Sequence, residues 1–269
     1  MNDSNHPSPQ NDRRSVDELI NAALGAADED DAWPAVSALH WRGTREVVTR
    51  AAALCRSDCE FERATGARIL GQVGVPDRTY PRECAVVLLE MLRREQPPDV
   101  LQSIFFAFGH LDVSETIWAA GRFRRHADSD VRHAVVLALT GHDHPTAVRW
   151  LIGLTRDSAD HVRDWATFAL GTQTDLDTVE IRSALVDRLS DPDDDTRAEA
   201  LMGLARRRDR RVIASLEQEL CSDCVGTLAV EAAEEIGAPE LYVPLVELRS
   251  WWDVAPELLE RAILACGRQ

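Results

Sequence analysis

The chain is predicted to be all-α, a right-handed α-solenoid of about seven to eight helical hairpins. Three observations predict it. One residue frame recurs along most of the 269 residues, the apolar positions follow a helical period, and no stretch alternates as a strand would.

The frame is clearest around Arg132, Arg163 and Arg197. With each Arg as position zero, a short apolar residue stands at plus three (Val135, Ala166, Ala200). Another small residue stands at plus six (Ala138, Ala169, Gly203), and a leucine at plus seven (Leu139, Leu170, Leu204). Weaker copies start at Arg63, Leu101, Ala229 and Leu259, so spacings run from 30 (229 to 259) to 38 (63 to 101). At 3.6 residues per turn, positions minus one, plus three, plus six and plus seven share one face, and small residues there let helices approach closely. Glycine at plus eight suits a C-cap. Ser129-Asp130, Ser158 with Asp160, and Asp194 to Thr196 suit N-caps. Each of these B helices follows an A helix, read over 147–154, 180–189 and 212–217. Pro192 closes the turn after the second of these.

In chain order, residues 1–14 lack apolar periodicity and are expected to be disordered. Residues 16–27 read as an amphipathic helix, 28–31 as an acidic turn, and 33–41 as a helix that fits the frame poorly, as a terminal cap does. Residues 15–57 thus comprise capping helices and the first A helix, and 58–269 a solenoid with no internal domain boundary. Pairs at 44–56 with 60–71 and 84–94 with 100–110 form the first hairpins. A longer linker covers 75–82. Residues 115–125 open the central run, and 241–252 with 256–266 close the array.

The stretch Asp160-His161-Val162-Arg163-Asp164-Trp165-Ala166-Thr167-Phe168-Ala169-Leu170-Gly171 resembles the HEAT-repeat family, in the short bacterial form similar to the repeats of phycobilisome lyases. It is one residue shorter than that signature between the aspartate and the valine. The resemblance runs from about residue 32 to the C-terminus. It implies stacked helical hairpins and leaves the function open, because one fold serves many roles.

Composition narrows the classes. Thirty basic residues stand against 46 acidic ones, a net charge of −16 that repels phosphate backbones and argues against nucleic acid as a partner. Every basic residue is arginine, which removes lysine Schiff-base chemistry and the P-loop lysine. No segment reads as a secretory leader or a membrane span, so a cytoplasmic monomer with reduced thiols is expected.

No catalytic, cofactor-binding or metal site is assigned. Candidate partner-binding residues lie on the B-helix face away from the packing stripe. They are Phe106, Leu137, Phe168 and Met202 at plus five, His133 and Asp164 at plus one, and Trp165 beside them. The plus-five residues either form an apolar strip for a partner or pack on the A helix of their own hairpin. Asp164-Trp165 reads as a helix-start carboxylate with a gap-filling indole, or as a site for a cation or stacked base, which likeness to HEAT-like DNA glycosylases would imply. The arginine ladder at position zero is read as structural, each guanidinium bonding the adjacent turn. Cys221-x-x-Cys224 and Cys55 with Cys59 are read as small buried residues rather than zinc ligands. His142 and His144 are read as loop histidines, and the run from Arg206 to Arg211 as a solvated turn or a dock for an acidic partner. Trp251-Trp252 is read as the terminal cap.

The function these readings favour is a non-catalytic scaffold that binds a protein carrying a basic patch. The alternative is an acidic immunity or inhibitor protein that neutralises a basic toxin. Behind both stand a chromophore lyase, by the repeat's namesake, and a HEAT-like glycosylase.

Overall fold

The computed structural model describes residues 8–94 and 96–267. Among these it holds sixteen α-helices, short 3-10 turns and no strand, an all-α solenoid fold. The chain divides into two compact units, Met1–Leu139 and Thr140–Gln269, where a single uninterrupted array was expected. The repeat frame runs through that division without a gap, so periodicity does not reveal it.

In the first unit, α1 (Val16–Leu24) and α2 (Glu29–Arg42) precede three hairpins. These are α3 (Arg45–Leu54) with α4 (Glu60–Gly71), α5 (Pro81–Met91) with α6 (Pro98–Leu111), and α7 (Ser114–Gly121) with α8 (Ser129–Leu139). The B helices α4, α6 and α8 pack in sequence order. The tail expected to be disordered through residue 14 is ordered from Ser8. It makes a 3-10 turn at Pro9–Asn11, Asp12 pairs with Arg14, and Arg42 of α2 donates to the carbonyls of Asp12 and Arg14. Residues 1–7 lie outside the described residues. The acidic run at 28–31 is not a turn but the start of α2: Asp28 caps the Asp31 amide at 2.9 Å, and the following acids favour the helix dipole.

In the second unit the hairpins are α9 (Pro145–Leu154) with α10 (Asp160–Gly171), α11 (Val179–Val186) with α12 (Asp194–Arg206), α13 (Ile213–Leu220) with α14 (Thr227–Ile236), and α15 (Tyr242–Leu248) with α16 (Pro256–Gly267). Here α10, α12, α14 and α16 stack in order. The predicted packing stripe is the core. Val162, Ala166 and Leu170 of α10, and Thr196, Ala200 and Leu204 of α12, are fully buried. Near the C-terminus Trp252 is buried and its indole donates to the Val225 carbonyl at 2.8 Å, whereas Trp251 is exposed.

Two expectations about local structure change. Glycine at plus eight is a left-handed C-cap only at Gly237, with φ +60°. Gly71 and Gly171 end their helices with ordinary dihedrals, and their role is close approach. A Cβ on Gly71 would sit 2.8 Å from the Ala107 Cα, and one on Gly203 2.6 Å from the Gly171 Cα. Two of the three expected N-caps begin a residue early, and the third, at Ala159 of α10, has no side-chain cap. Asp193 caps α12 through the Thr196 amide at 2.8 Å, and the Asp128 carboxylate accepts from the Asp130 and Val131 amides at 2.8 and 3.3 Å.

The arginine ladder is a clamp on the A–B turns. Arg63 donates to the Ser57 and Asp58 carbonyls, Arg132 to those of His126 and Ala127, and Arg163 to those of Asp157 and Ser158. Each of these three thus holds carbonyls five and six residues back, which a guanidinium fork suits because its donors diverge in a fixed plane, while Arg197 reaches the Asp191 carbonyl six residues back and pairs with Asp194. Arg163 also reaches the buried Asp191 of the next hairpin at 2.9 Å, and Arg188 joins it there. Burial opposes ionisation of Asp191, but the hydrogen bonds from Arg163 and the Asp193 amide outweigh it and hold the carboxyl below its ordinary range.

The arginine run at 206–211 is a largely exposed turn, as read, whose side chains are nonetheless paired, and only Arg207 departs from it. Arg206 bonds the Thr172 carbonyl and Asp175, Arg208 pairs with Glu235, Arg210 with Glu240, and Arg211 with Asp209. Arg207 is buried, and its donors reach the carbonyls of Leu170, Gly171, Thr174, Leu176 and Gly203.

Candidate functional site

The candidate residues fall into two groups, one in each unit. In the first unit Phe106 of α6 is 38% exposed, and its ring lies 6.4 Å from that of His133 of α8, edge on. Leu137 is half-buried.

The second unit carries the fuller surface. On α10 the Trp165 ring meets the Phe168 ring edge to face at 5.6 Å, a favoured aromatic geometry, and Trp165 remains 37% exposed. Met202 of α12 is half-buried at the same register position as Phe168. The plus-five positions therefore neither vanish into their own hairpins nor form an open greasy strip. Within each unit they stay part-exposed, and in the second unit Phe168 and Met202, at equivalent positions of α10 and α12, form with Trp165 the seam considered below.

Charge also sets this surface apart. Asp164 is half-buried, and burial, followed by the charges of Asp195 and Asp193, pushes its carboxyl up to about 6. Glu199 of α12 stands at plus two, the position Trp165 holds on α10. Burial, then the charges of Asp164, Asp195 and Glu231, push it up to about 7. Its Oε2 is closed off from solvent and has no hydrogen-bond partner among the described residues. Glu231 of α14 repeats the plus-two position, and Glu234 at plus five is paired with Arg261 of α16 at 2.9 Å. Glu199 and Glu231 were missed in the sequence. The signal was present as acid, acid and Trp at one register position, but acidic residues are common throughout this chain and nothing local set these apart.

The strain on Glu199 has a measurable sign. Its folded-state value lies above the ordinary 4.5, so the native state holds a proton that the unfolded chain releases sooner. The penalty is absent below that ordinary value, grows as pH rises, and is complete above about 7. Glu199→Gln is expected to raise stability at pH 8 by on the order of 1–2 kcal/mol after solvent screening, with no gain at pH 4. Thermal melts at both pH values check this, and an equal shift at both would refute it.

Other candidate chemistry is placed elsewhere. Cys55, Cys84 and Cys266 are buried, and burial pushes the Cys55 and Cys84 thiols up to about 12. Cys59, Cys221 and Cys224 are exposed, which corrects the reading of these three as buried fillers, whereas Cys55 is buried as read. Cys221 is the C-cap of α13 and Cys224 lies in the turn that follows it. The His144 ring accepts the Thr146 amide at 3.1 Å as the N-cap of α9. Among the described residues no group of three or more His, Cys, Asp or Glu is placed to hold a metal ion, and no helix is long and apolar enough to cross a membrane.

Comparison with known proteins agrees with this architecture. Residues 118–181 match the model of a family described as HEAT repeats. Protein YibA of Escherichia coli is 27% identical over 205 residues, 74% of this chain and 72% of that protein. The X-ray structure of E. coli YibA superposes with a TM-score of 0.74 at 25% identity, covering 96% of this chain and 94% of that one. Importin beta superposes with a TM-score of 0.52 at 16% identity over 93% of this chain and 41% of its own, a likeness of fold alone.

Proposed function

For a chain built of HEAT repeats, we propose a non-catalytic scaffold that binds a protein partner on the exposed face of its B helices, in the second unit above all. The observation that carries this reading is the seam on α10 and α12. There Trp165, Phe168 and Met202 keep apolar surface in reach of solvent beside carboxylates that repel one another. Exposed aromatics bordered by polar groups are what protein interfaces select, and a uniform carboxylate charge selects a partner with a basic patch. The net charge of −16 extends that preference over the whole chain by steering encounter.

The test is to compare two charge-insertion variants as baits. Phe168→Asp strikes the seam. Val179→Asp strikes α11, where the side chain is 80% exposed and away from the B-helix face. The expected outcome is that a partner recovered with the parent chain, and shown to bind it directly, is lost with Phe168→Asp and kept with Val179→Asp. Equal retention by both variants rejects this face as the interface.

A further inference from the structure

Two exposed thiols, Cys221 and Cys224, stand three residues apart at the end of α13. The Cys221 amide donates to the Glu217 carbonyl and the Ser222 amide to that of Glu219, both at 3.1 Å, so the first thiol is carried on the last turn of the helix. The chain then bends at Ser222, Asp223 and Cys224, and the Ser222 hydroxyl donates to the Cys224 carbonyl at 2.8 Å. Beyond the bend Val225 is buried, and its carbonyl accepts from the indole of the buried Trp252 at 2.8 Å. The segment between the thiols is thus held at both ends and across its middle. A disulfide needs its two Cα atoms within about 7 Å, and a four-residue turn brings its first and last residues within that reach. Beside Cys221 lies a cavity of about 360 Å³, bordered also by Asp223, Glu247 and Trp251. The other closely spaced pair differs. Cys59 is exposed, but Cys55 is buried against the core.

We propose that Cys221 and Cys224 are a reversible oxidation site, a dithiol that a small disulfide converts into an intramolecular disulfide. The Cys221 thiolate, which borders the cavity, attacks one sulfur of the small disulfide. A bond to that sulfur forms, the small S–S bond breaks, and one small thiolate leaves. The Cys224 thiolate then attacks the Cys221 sulfur and expels the second. The two protein thiols give up two electrons and two protons, and the small disulfide takes them up as two thiols. The carboxylates of Asp223 and Glu247 favour a cationic reagent over an anionic one. Ring closure needs little further ordering, because the fold has already bent the segment. Cys59 meets the same reagent but stops at a mixed disulfide, since its neighbour Cys55 is buried.

The experiment equilibrates the full native chain with cystamine and cysteamine, blocks the remaining thiols with an alkylating agent, and reads the masses of tryptic peptides. Cleavage after arginine leaves both Cys221 and Cys224 in the peptide 212–249 and Cys59 alone in the peptide 57–63. The 212–249 peptide is expected to be unalkylated and lighter by two hydrogens, while the 57–63 peptide carries one cysteamine. The same equilibrium in urea measures what the fold adds: the native chain should close the ring about tenfold more readily than the unfolded one. Ser222→Ala, which removes the hydrogen bond across the bend, should reduce that ratio, and circular dichroism melts confirm that the variant folds. Cys224→Ser should stop at one cysteamine on Cys221. A native 212–249 peptide that carries two cysteamines, or keeps both thiols while Cys59 reacts, would overturn the proposal. So would a ring that closes no more readily in the native chain than in urea, or a disulfide formed between two copies of the chain instead.

Discussion

Arg207→Met is expected to destabilise the second unit by more than about 3 kcal/mol, and Arg207→Lys by nearly as much. The guanidinium binds main-chain carbonyls at the ends of both α10 and α12: Leu170 at 2.7 Å, Gly171 at 2.8 Å and Gly203 at 2.9 Å, with Thr174 and Leu176 of the following loop. Helix C-termini leave carbonyls without intrahelical partners, and here one side chain satisfies those of two adjacent helices. Methionine fills much of the volume but supplies no donor, so buried acceptors lose both water and protein. Lysine keeps the charge, but its three donors radiate from one atom and cannot span the set. Burial makes charging Arg207 harder, and Asp177 nearby partly offsets that, so the carbonyls carry most of the compensation. Urea unfolding followed by circular dichroism measures the change. A lysine variant as stable as the parent would show that charge alone is needed.

Gly203→Ala is the second large effect, with an expected loss of about 2–3 kcal/mol. The added Cβ would lie 2.6 Å from the Gly171 Cα and 3.0 Å from the Leu185 Cδ1. A flexible side chain could yield, but backbone on a packed helix cannot. Gly153→Ala is the matched control. It lies within α9 and its Cβ would meet nothing within 4 Å, so the same substitution there should stabilise by about 0.5–1 kcal/mol through helix propensity. Losses of similar size at both positions would mean that crowding is not the cause.

These two residues show which parts of the molecule were legible beforehand. The helical hairpins, their order and the buried stripe follow from spacing, because burial of Val162, Ala166 and Leu170 is a one-dimensional pattern that stacking makes three-dimensional. The turn-clamping role of Arg163 was also readable, since its partners lie five and six residues away. Arg207 was not. Its acceptors on Leu170 and Gly171 are 37 and 36 residues distant, are main-chain atoms, and leave no mark on residue identity. The glycines misled for a related reason. Gly171 at a helix end looks like a cap whether its need is a left-handed turn or a missing side chain, and only the neighbouring helix decides. For the site, Asp164, Trp165, Phe168 and Met202 were identified from register, while Glu199 became notable only once burial and three neighbouring acids were seen together. The division after Leu139 was invisible, because the repeat frame continues across it.

The contact of Gly171 with Gly203 bears on recognition as well as on stability. With no side chain between the two backbones, the approach of α10 to α12 at this point is set by main-chain bulk rather than by adaptable packing. On the proposed interface, a partner spanning α10 and α12 would meet a fixed helix spacing and lose little entropy in shaping it. Variation among ligands should then appear chiefly in how long each one stays rather than in how quickly it arrives.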